Sequence, residues 1–160
     1  MSTIKMLYLL RHGEAELGFG RYSDFDRKLT DNGIAQLKRL GKILEINAEK
    51  FDQILSSSAL RTKMTTELIA EKISAERIFF EEVLYEAQTE IILRQLNSVS
   101  NDVNHLLLVG HNPGISALAS YVTNGQFISM QPGMMAKIAL EVDSWCMLGR
   151  ETGSLMEILQ

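Results

Sequence analysis

The sequence predicts an α/β fold, a three-layer α/β/α sandwich whose central sheet is mostly parallel with an antiparallel edge strand. Short apolar runs typical of buried strands alternate with segments of roughly 10 to 15 residues in which apolar residues recur at helical spacing. The last two strand-like segments follow one another without a helix between them. The alternation indicates parallel pairing with helices on both faces, and the final pair indicates the antiparallel edge.

Size and charge limit the classes of function that the chain can have. With 160 residues, of which 46% are hydrophobic and 22% charged, residues 1–160 are expected to form one domain. A net charge of -4 and a pI near 5.4 argue against a general binder of nucleic acid or of anionic membranes. Any site for an anion must therefore be local.

Cysteine content and hydropathy favour a cytoplasmic location. The single Cys146 cannot form an internal disulfide, and the N-terminus lacks the pattern of a secretory signal. No apolar stretch approaches the roughly 20 residues that a membrane span requires. We therefore expect no membrane association.

The first strand and helix are predicted from residues 6–44. Met6 to Leu10 is a continuous apolar run, which indicates a strand buried on both faces. Leu17 to Lys28 is polar and contains glycine, so it is expected to be a loop over the end of that strand. The segment "LTDNG" opens a helix with Thr30 or Asp31 as N-cap. The buried face of this helix is predicted at Leu37, Leu40, Gly41 and Leu44.

The next strand and helix follow the same pattern. "DQILSSS" predicts a strand, and Ser57 or Ser58 is expected to cap the helix after it. The apolar residues of that helix lie at helical spacing and predict one buried face, formed by Leu60, Met64, Leu68 and Ile73. "RIFFEEVLY" then has the composition of a strand.

The second half of the chain repeats a strand that ends on a histidine. A helix is predicted from Thr89 and Glu90, with Ile92, Leu96 and Val99 on its apolar face. "HLLLVG" is a buried strand followed by His111, and "PGISALASYV" is a helix. The two last strands are predicted from the alternation of Ala136, Ile138, Leu140 and Val142, and from "SLMEILQ".

Polar groups follow three of these elements at the edge where α/β sheets bind ligands. Arg11 and His12 end the first strand, Arg61 lies in the first turn of a helix, and His111 ends a later strand. A cation in the first helical turn is disfavoured by the helix dipole, and a bound anion would remove that penalty. Two guanidinium groups, two imidazoles and a helix N-terminus suit a tetrahedral phosphate, so the residues predict a phosphate site.

Three motifs then resemble one family. "LYLLRHGEAE", "SSALRTKMT" and "LLLVGHNPG" together resemble the histidine phosphatase superfamily, which has a phosphoglycerate-mutase-like fold. "DFDRKLTDNG" and the terminal "GSLMEIL", in a chain of this length, are similar to the SixA-type phosphohistidine phosphatases. The resemblance implies hydrolysis in two steps through a phosphorylated histidine, without a metal or another cofactor.

Roles are expected for five residues. Neutral His12 would attack phosphorus, while Arg11, Arg61 and His111 bind the phosphoryl oxygens and stabilise the transition state. Glu86 is a candidate proton donor, because larger members of the superfamily take a general acid from a carboxylate in this part of the fold. The alternative is that it contributes only to the charge balance at the start of the next helix.

The expected function is that of a phosphohistidine phosphatase acting on a phosphorylated histidine-containing phosphotransfer protein. The phosphorus–nitrogen bond is labile and breaks with little help from an acid, and the sequence has no spare length for a lid over a small substrate. A phosphatase of small phosphate monoesters with the same mechanism is the alternative enzyme. A module that binds phosphate without turnover is the alternative of another class.

Overall fold

The central sheet has six strands within the residues that the structure describes. The computed structural model describes residues 4–18 and 23–160. The strands are β1 Met6–Arg11, β2 Gln53–Ser57, β3 Arg77–Glu81, β4 His105–Gly110, β5 Met135–Leu140 and β6 Gly153–Leu159. The helices are α1 Asp31–Ile46, α2 Leu60–Ala70, α3 Thr89–Asn97 and α4 Gly114–Val122, with single 3-10 turns at Asp24–Asp26, Glu82–Leu84 and Trp145–Met147.

The strand order is β3-β2-β4-β1-β5-β6. The first four strands of this order are parallel, whereas β5 is antiparallel to β1 and β6 is antiparallel to β5. The predicted α/β fold with a mostly parallel sheet is confirmed, and its antiparallel edge consists of both β5 and β6.

Helices cover the two faces of the sheet. Alternate residues of β1 enter opposite layers, with Leu7 and Leu9 in one and Tyr8 and Leu10 in the other. The first layer includes residues of α3 and α4, and the second includes residues of α1 and α2. Because β1 and β4 are apolar on both faces, they lie in the middle of the sandwich. The polar residues at and just after their carboxyl ends, Arg11, His12 and His111, therefore lie between the two core layers.

The prediction for α1 is confirmed. Thr30 is its N-cap, with the side-chain hydroxyl accepting a hydrogen bond of 2.9 Å from the Gly33 amide. All four residues of the predicted face are buried, namely Leu37, Leu40, Gly41 and Leu44. Part of the loop predicted before α1 falls on residues 19–22, outside the described residues.

The predicted face and cap of α2 are wrong. Its N-cap is Ala59, and Leu60 is exposed. Met64 and Leu68 are only partly buried, and Ile73 is buried but lies beyond the helix. The buried face is Arg61, Thr62, Thr65, Thr66 and Ile69. Two of the three threonine hydroxyls on this face find backbone acceptors, which makes their burial possible. Thr62 Oγ1 donates to the Ser57 carbonyl at 2.8 Å and Thr65 Oγ1 to the Arg61 carbonyl at 2.7 Å.

Other element boundaries differ slightly from those predicted. The strand predicted from "RIFFEEVLY" ends at Glu81 and continues as a 3-10 turn. Val99 and Val142 lie just beyond the ends of α3 and β5. Among the described residues, no helix has the length and apolar character that crossing a membrane would need.

Candidate active site

The strand order brings the predicted site residues to one edge of the sheet. β2, β4 and β1 are neighbours and parallel, so their carboxyl ends lie side by side. His12 follows β1, His111 follows β4, and Arg61 begins α2 shortly after β2. The rings of His12 and His111 are 5.4 Å apart between centroids, and the Nε of Arg61 lies 3.4 Å from Nε2 of His12. The structure therefore places these three side chains in one cluster.

Nε2 of His12 is unprotonated. Its Nδ1 lies 2.7 Å from the Gly13 carbonyl oxygen, which can only accept, so Nδ1 carries the proton. Nε2 is then the acceptor of the Arg61 Nε–H. Burial has the largest effect on the pKa of His12 and lowers it. The hydrogen bond with the Gly13 carbonyl opposes this, the charges of Arg61 and Arg11 lower the pKa again, and the result is a pKa of about 4. The imidazole is neutral at pH 7.

The segment after His12 is held by α2. The Gly13 amide donates to Oγ1 of Thr65 at 3.2 Å, and the same hydroxyl donates to the Arg61 carbonyl. One threonine thus links the turn that positions His12 to the helical turn that positions Arg61.

His111 is a second neutral imidazole in the cluster. Its Nε2 lies 2.8 Å from Ser57 Oγ, at the end of β2. Its Nδ1 is buried, finds no hydrogen-bond partner among the described residues, and lies 3.9 Å from Oε1 of Glu86. Burial, with the charge of Arg61 next in size, lowers the pKa of His111 to about 3. Nδ1 is therefore the ring atom available to a ligand.

Arg61 is only 2% exposed although it is charged. Its Nη1 donates to the Asp24 carbonyl at 2.7 Å, and its Nη2 donates to Oδ2 of Asp24 at 3.1 Å and to Oε1 of Glu86 at 2.9 Å. With the bond to His12, four of the five guanidinium N–H groups have acceptors in the protein. Two carboxylates thus balance the cation that the sequence placed in the first turn of α2.

Arg11 lies beside this cluster. Its Nη1 donates to the Met130 carbonyl at 3.0 Å, and its buried Nε has no partner among the described residues. Burial and the charge of Arg61 lower its pKa from the ordinary value. The backbone of Arg11 is fixed by Gly133, whose amide donates to the Arg11 carbonyl at 3.1 Å from a positive φ of 77° that suits glycine.

Glu86 lies at the rim of the cluster with its side chain 48% exposed. It has a positive φ of 51°, and the next residue, Ala87, packs its carbonyl against the glycine that starts α4. A Cβ on Gly114 would collide with that carbonyl. The close contact between the Ala87 carbonyl and Gly114 fixes the turn that contains Glu86, and this turn places the Glu86 carboxylate beside Arg61.

Residues 7–95 match the sequence profile of the histidine phosphatase superfamily (branch 1). The chain belongs to this superfamily. An uncharacterised protein of Mycobacterium tuberculosis is 34% identical over 113 residues, which are 69% of this chain and 67% of that protein.

Solved structures of the superfamily share the whole fold. The SixA protein of Nakamurella multipartitia superimposes with a TM-score of 0.87 at 23% identity, over 98% of this chain and 96% of that one. The protein histidine phosphatase SixA complexed with tungstate gives a TM-score of 0.82 at 19% identity, over 97% and 96%.

The structure adds residues to this candidate site that the sequence did not reveal. The Tyr85 hydroxyl donates to Oδ2 of Asp24, and the Tyr85 ring packs edge-on against His111, with centroids 5.5 Å apart, and against Phe25, at 5.0 Å. The hydrogen bond from Tyr85, followed by that from Arg27, holds the pKa of Asp24 well below its usual range. In the sequence, the one signal that Asp24 belongs to the site is the position of "DFDR" in the loop predicted to lie over the end of β1.

No metal site accompanies the cluster in the described ranges. Within residues 4–18 and 23–160, no three histidine, cysteine, aspartate or glutamate side chains are grouped to hold a metal ion. The charged donors around His12 are instead guanidinium groups, which suit an oxyanion.

Proposed function

We propose that this protein is a SixA-type phosphohistidine phosphatase that uses His12 as its nucleophile. The observation that carries the proposal is the state of His12: a buried neutral imidazole whose unprotonated Nε2 faces Arg61, beside Arg11 and His111. A nucleophile next to preorganised cations is the arrangement that phosphoryl transfer requires.

In the first step, Nε2 of His12 forms a bond to phosphorus while the bond from phosphorus to the leaving nitrogen breaks. Arg11, Arg61 and Nδ1 of His111 donate to the equatorial oxygens, where negative charge is spread in the transition state. The Arg61 Nε–H, which loses its acceptor when His12 is phosphorylated, becomes free for a phosphoryl oxygen. The leaving nitrogen takes a proton, for which Glu86 in its protonated form is the proposed donor, whereas its ion pair with Arg61 belongs to the ionised form.

In the second step, water attacks phosphorus and the bond from phosphorus to Nε2 breaks, which releases inorganic phosphate and neutral His12. Glu86, having given up its proton, accepts one from the attacking water, so that both groups return to their starting states. Its exposed position at the rim leaves room for that water.

The proposed substrate is a phosphorylated histidine-containing phosphotransfer protein of the cytoplasm. Two observations support a substrate carried on a protein. The carboxylates of Asp24 and Glu86 beside Arg61 are 46% and 48% exposed, so the site is open to a side chain carried on another protein. The candidate acid Glu86 is also engaged with Arg61, so that it assists a labile phosphorus–nitrogen bond better than an alkyl phosphate. The tungstate complex of a SixA structure supports an oxyanion site in this fold.

The decisive comparison uses a phosphorylated phosphotransfer domain and a panel of sugar, glycerate and nucleotide monoesters. We expect the phosphohistidine protein to give the highest kcat/KM. Quenching during turnover without acid should trap a phosphoryl group on His12 that is stable to base and labile to acid. Preference for one monoester by orders of magnitude would establish the small-molecule alternative, and absence of any phosphate release would establish the binding module.

Glu86→Gln tests the proton donor. It should slow alkyl phosphates far more than phosphohistidine, whose leaving imidazole depends less on an acid. Glu90→Gln, an exposed carboxylate in the first turn of α3, is the matched control and should change neither rate. Equal slowing of both substrates by Glu86→Gln would contradict the leaving-group argument.

A further inference from the structure

The edge strand β3 exposes apolar side chains on both of its faces. In the described part of the chain β3 pairs only with β2, so its other edge carries unpaired backbone groups. Ile78, Phe79 and Phe80 are 37%, 45% and 38% exposed, although they form the middle of the strand. An edge of this kind is a ready template for a further strand.

The sequence of β3 is complementary to itself when it is read in the opposite direction. "RIFFE" has a cation at one end, an anion at the other and three apolar residues between them. In an antiparallel pair centred on Phe79, Arg77 lies opposite Glu81 of a second copy and Ile78 lies opposite Phe80. Arg77 also donates to the Asp102 carboxylate of its own chain, so Glu81 would join an existing ion pair. Phe79 then lies opposite itself, so every cross-strand pair is favourable.

We propose that the protein forms a two-fold symmetric dimer in which the β3 edges of two copies pair antiparallel and join the two sheets into one. The symmetry is closed, because the same patch serves both partners and no edge of β3 remains to recruit a third copy. The occupant of the edge is therefore a second copy of this chain.

The side-chain faces agree with this register. Phe79 is the partner of Leu55, which belongs to the core layer with α3, and Ile78 is the partner of Ile54, which belongs to the layer with α1 and α2. Arg77, Phe79 and Glu81 therefore lie on one face of β3, with Ile78 and Phe80 on the other. Across the two-fold axis, the two Phe79 side chains meet on one face with an Arg77–Glu81 pair on either side of them. The Ile78–Phe80 pairs meet on the other face.

Antiparallel pairing keeps the two active sites apart. The sites lie at the carboxyl ends of the parallel strands, and these ends point in opposite directions in the two copies. The dimer therefore leaves both sites open, and phosphatase activity per chain should not depend on dimer formation.

Charge reversal tests the register. Sedimentation equilibrium from micromolar to millimolar concentration should show a dimer for the wild type. Glu81→Arg places Arg opposite Arg77, and Arg77→Glu places Glu opposite Glu81, so each variant alone should be monomeric. Mixing the two variants in equal amounts should restore a dimer, because both cross-strand pairs are then of opposite charge. Glu82→Arg, just outside the strand, should remain dimeric.

Cysteine cross-linking tests the axis. In a Cys146→Ser background, which removes the exposed native thiol, Phe79→Cys should form an intermolecular disulfide under mild oxidation. Glu81→Cys on the same face should not, because four residues of strand separate it from its symmetry mate. A monomeric wild type would overturn the proposal. So would a dimer that the charge reversals do not dissociate and that Phe79→Cys does not cross-link. Phosphatase activity of Glu81→Arg is measured separately and should equal that of the wild type. The dimer can therefore be disproved without disproving the proposed function, and the reverse also holds.

Discussion

His12 and His111 make the stability of the folded chain depend on pH. Both are buried neutral, with pKa values of about 4 and about 3, whereas an unfolded histidine titrates near 6.5. The unfolded state therefore binds more protons below pH 6.5. The free energy of unfolding should be highest above about pH 6.5 and should fall as the pH is lowered towards 4.

The size of this effect can be measured by denaturant unfolding across that range. The shift of His12 corresponds to about 3 kcal/mol of stability lost between its unfolded and folded pKa values. His12→Asn should remove this part of the slope and leave that of His111. If the free energy of unfolding of His12→Asn depended on pH as that of the wild type does, His12 would not be buried in the neutral form.

Asp24 is expected to position Arg61. Its carboxylate accepts from Arg61 and from the Tyr85 hydroxyl, and its backbone carbonyl accepts a further bond from Arg61. Asp24→Asn weakens charge-assisted bonds worth roughly 1.5 to 3 kcal/mol each, so kcat/KM should fall by about tenfold or more.

The neighbouring carboxylate provides a control for Asp24. Asp26 lies in the same 3-10 turn, is exposed, and its carboxylate accepts from the Ser23 hydroxyl. Asp26→Asn should keep wild-type kcat/KM. Asp24→Glu should recover part of the rate, because charge is restored at a longer reach; unchanged kcat/KM in Asp24→Asn would contradict the positioning role.

At the scale of the element, α2 shows what hydrophobic spacing cannot reveal. Leu60, Met64 and Leu68 form a regular stripe, but the buried face is displaced from it and is mainly hydroxyl and guanidinium. The reason is that α2 packs its first turns against the active-site edge, where Arg61 and Thr65 have acceptors and donors supplied by other elements.

Two threonines of α2 give a matched test of this interpretation. Thr65 Oγ1 accepts from the Gly13 amide, whereas the buried Thr66 Oγ1 has no partner among the described residues. Thr65→Val leaves the Gly13 amide unsatisfied and should cost about 1 to 3 kcal/mol in the free energy of unfolding. Thr66→Val should be neutral or stabilising. Equal effects of the two substitutions in denaturant unfolding would contradict these roles.

The elements also show how far the sequence could predict the site. Arg11 and His12 follow the apolar run 6–10, and His111 follows the apolar run 106–110, so their place at the edge of the sheet can be predicted from the strand pattern. The pattern does not predict that Asp24 binds Arg61 or that Tyr85 binds Asp24. Asp24 and Tyr85 lie in turns that are far apart in the sequence, and they meet only through the packing of the folded chain. Local pattern predicts strand ends, but it does not predict which turns meet above them.

At the scale of the whole molecule, an acidic protein holds a local receptor for anions. The net charge is -4, yet the described cluster gathers Arg11 and Arg61 around His12 in a partly buried site. Burial reduces screening by salt, so affinity for an oxyanion should depend on these cations more than on the overall charge.

Ligand-linked stability tests this view of the molecule. An oxyanion that binds only the folded state stabilises it by about 2.7 kcal/mol at 100 times its Kd. Tungstate or inorganic phosphate should therefore raise the Tm by several degrees, and chloride at equal ionic strength should not. Arg61→Met should lose the shift, while Arg39→Met, on the exposed face of α1, should keep it. A shift of equal size in all three proteins would place the bound anion elsewhere on the surface, since only the active-site cluster depends on Arg61.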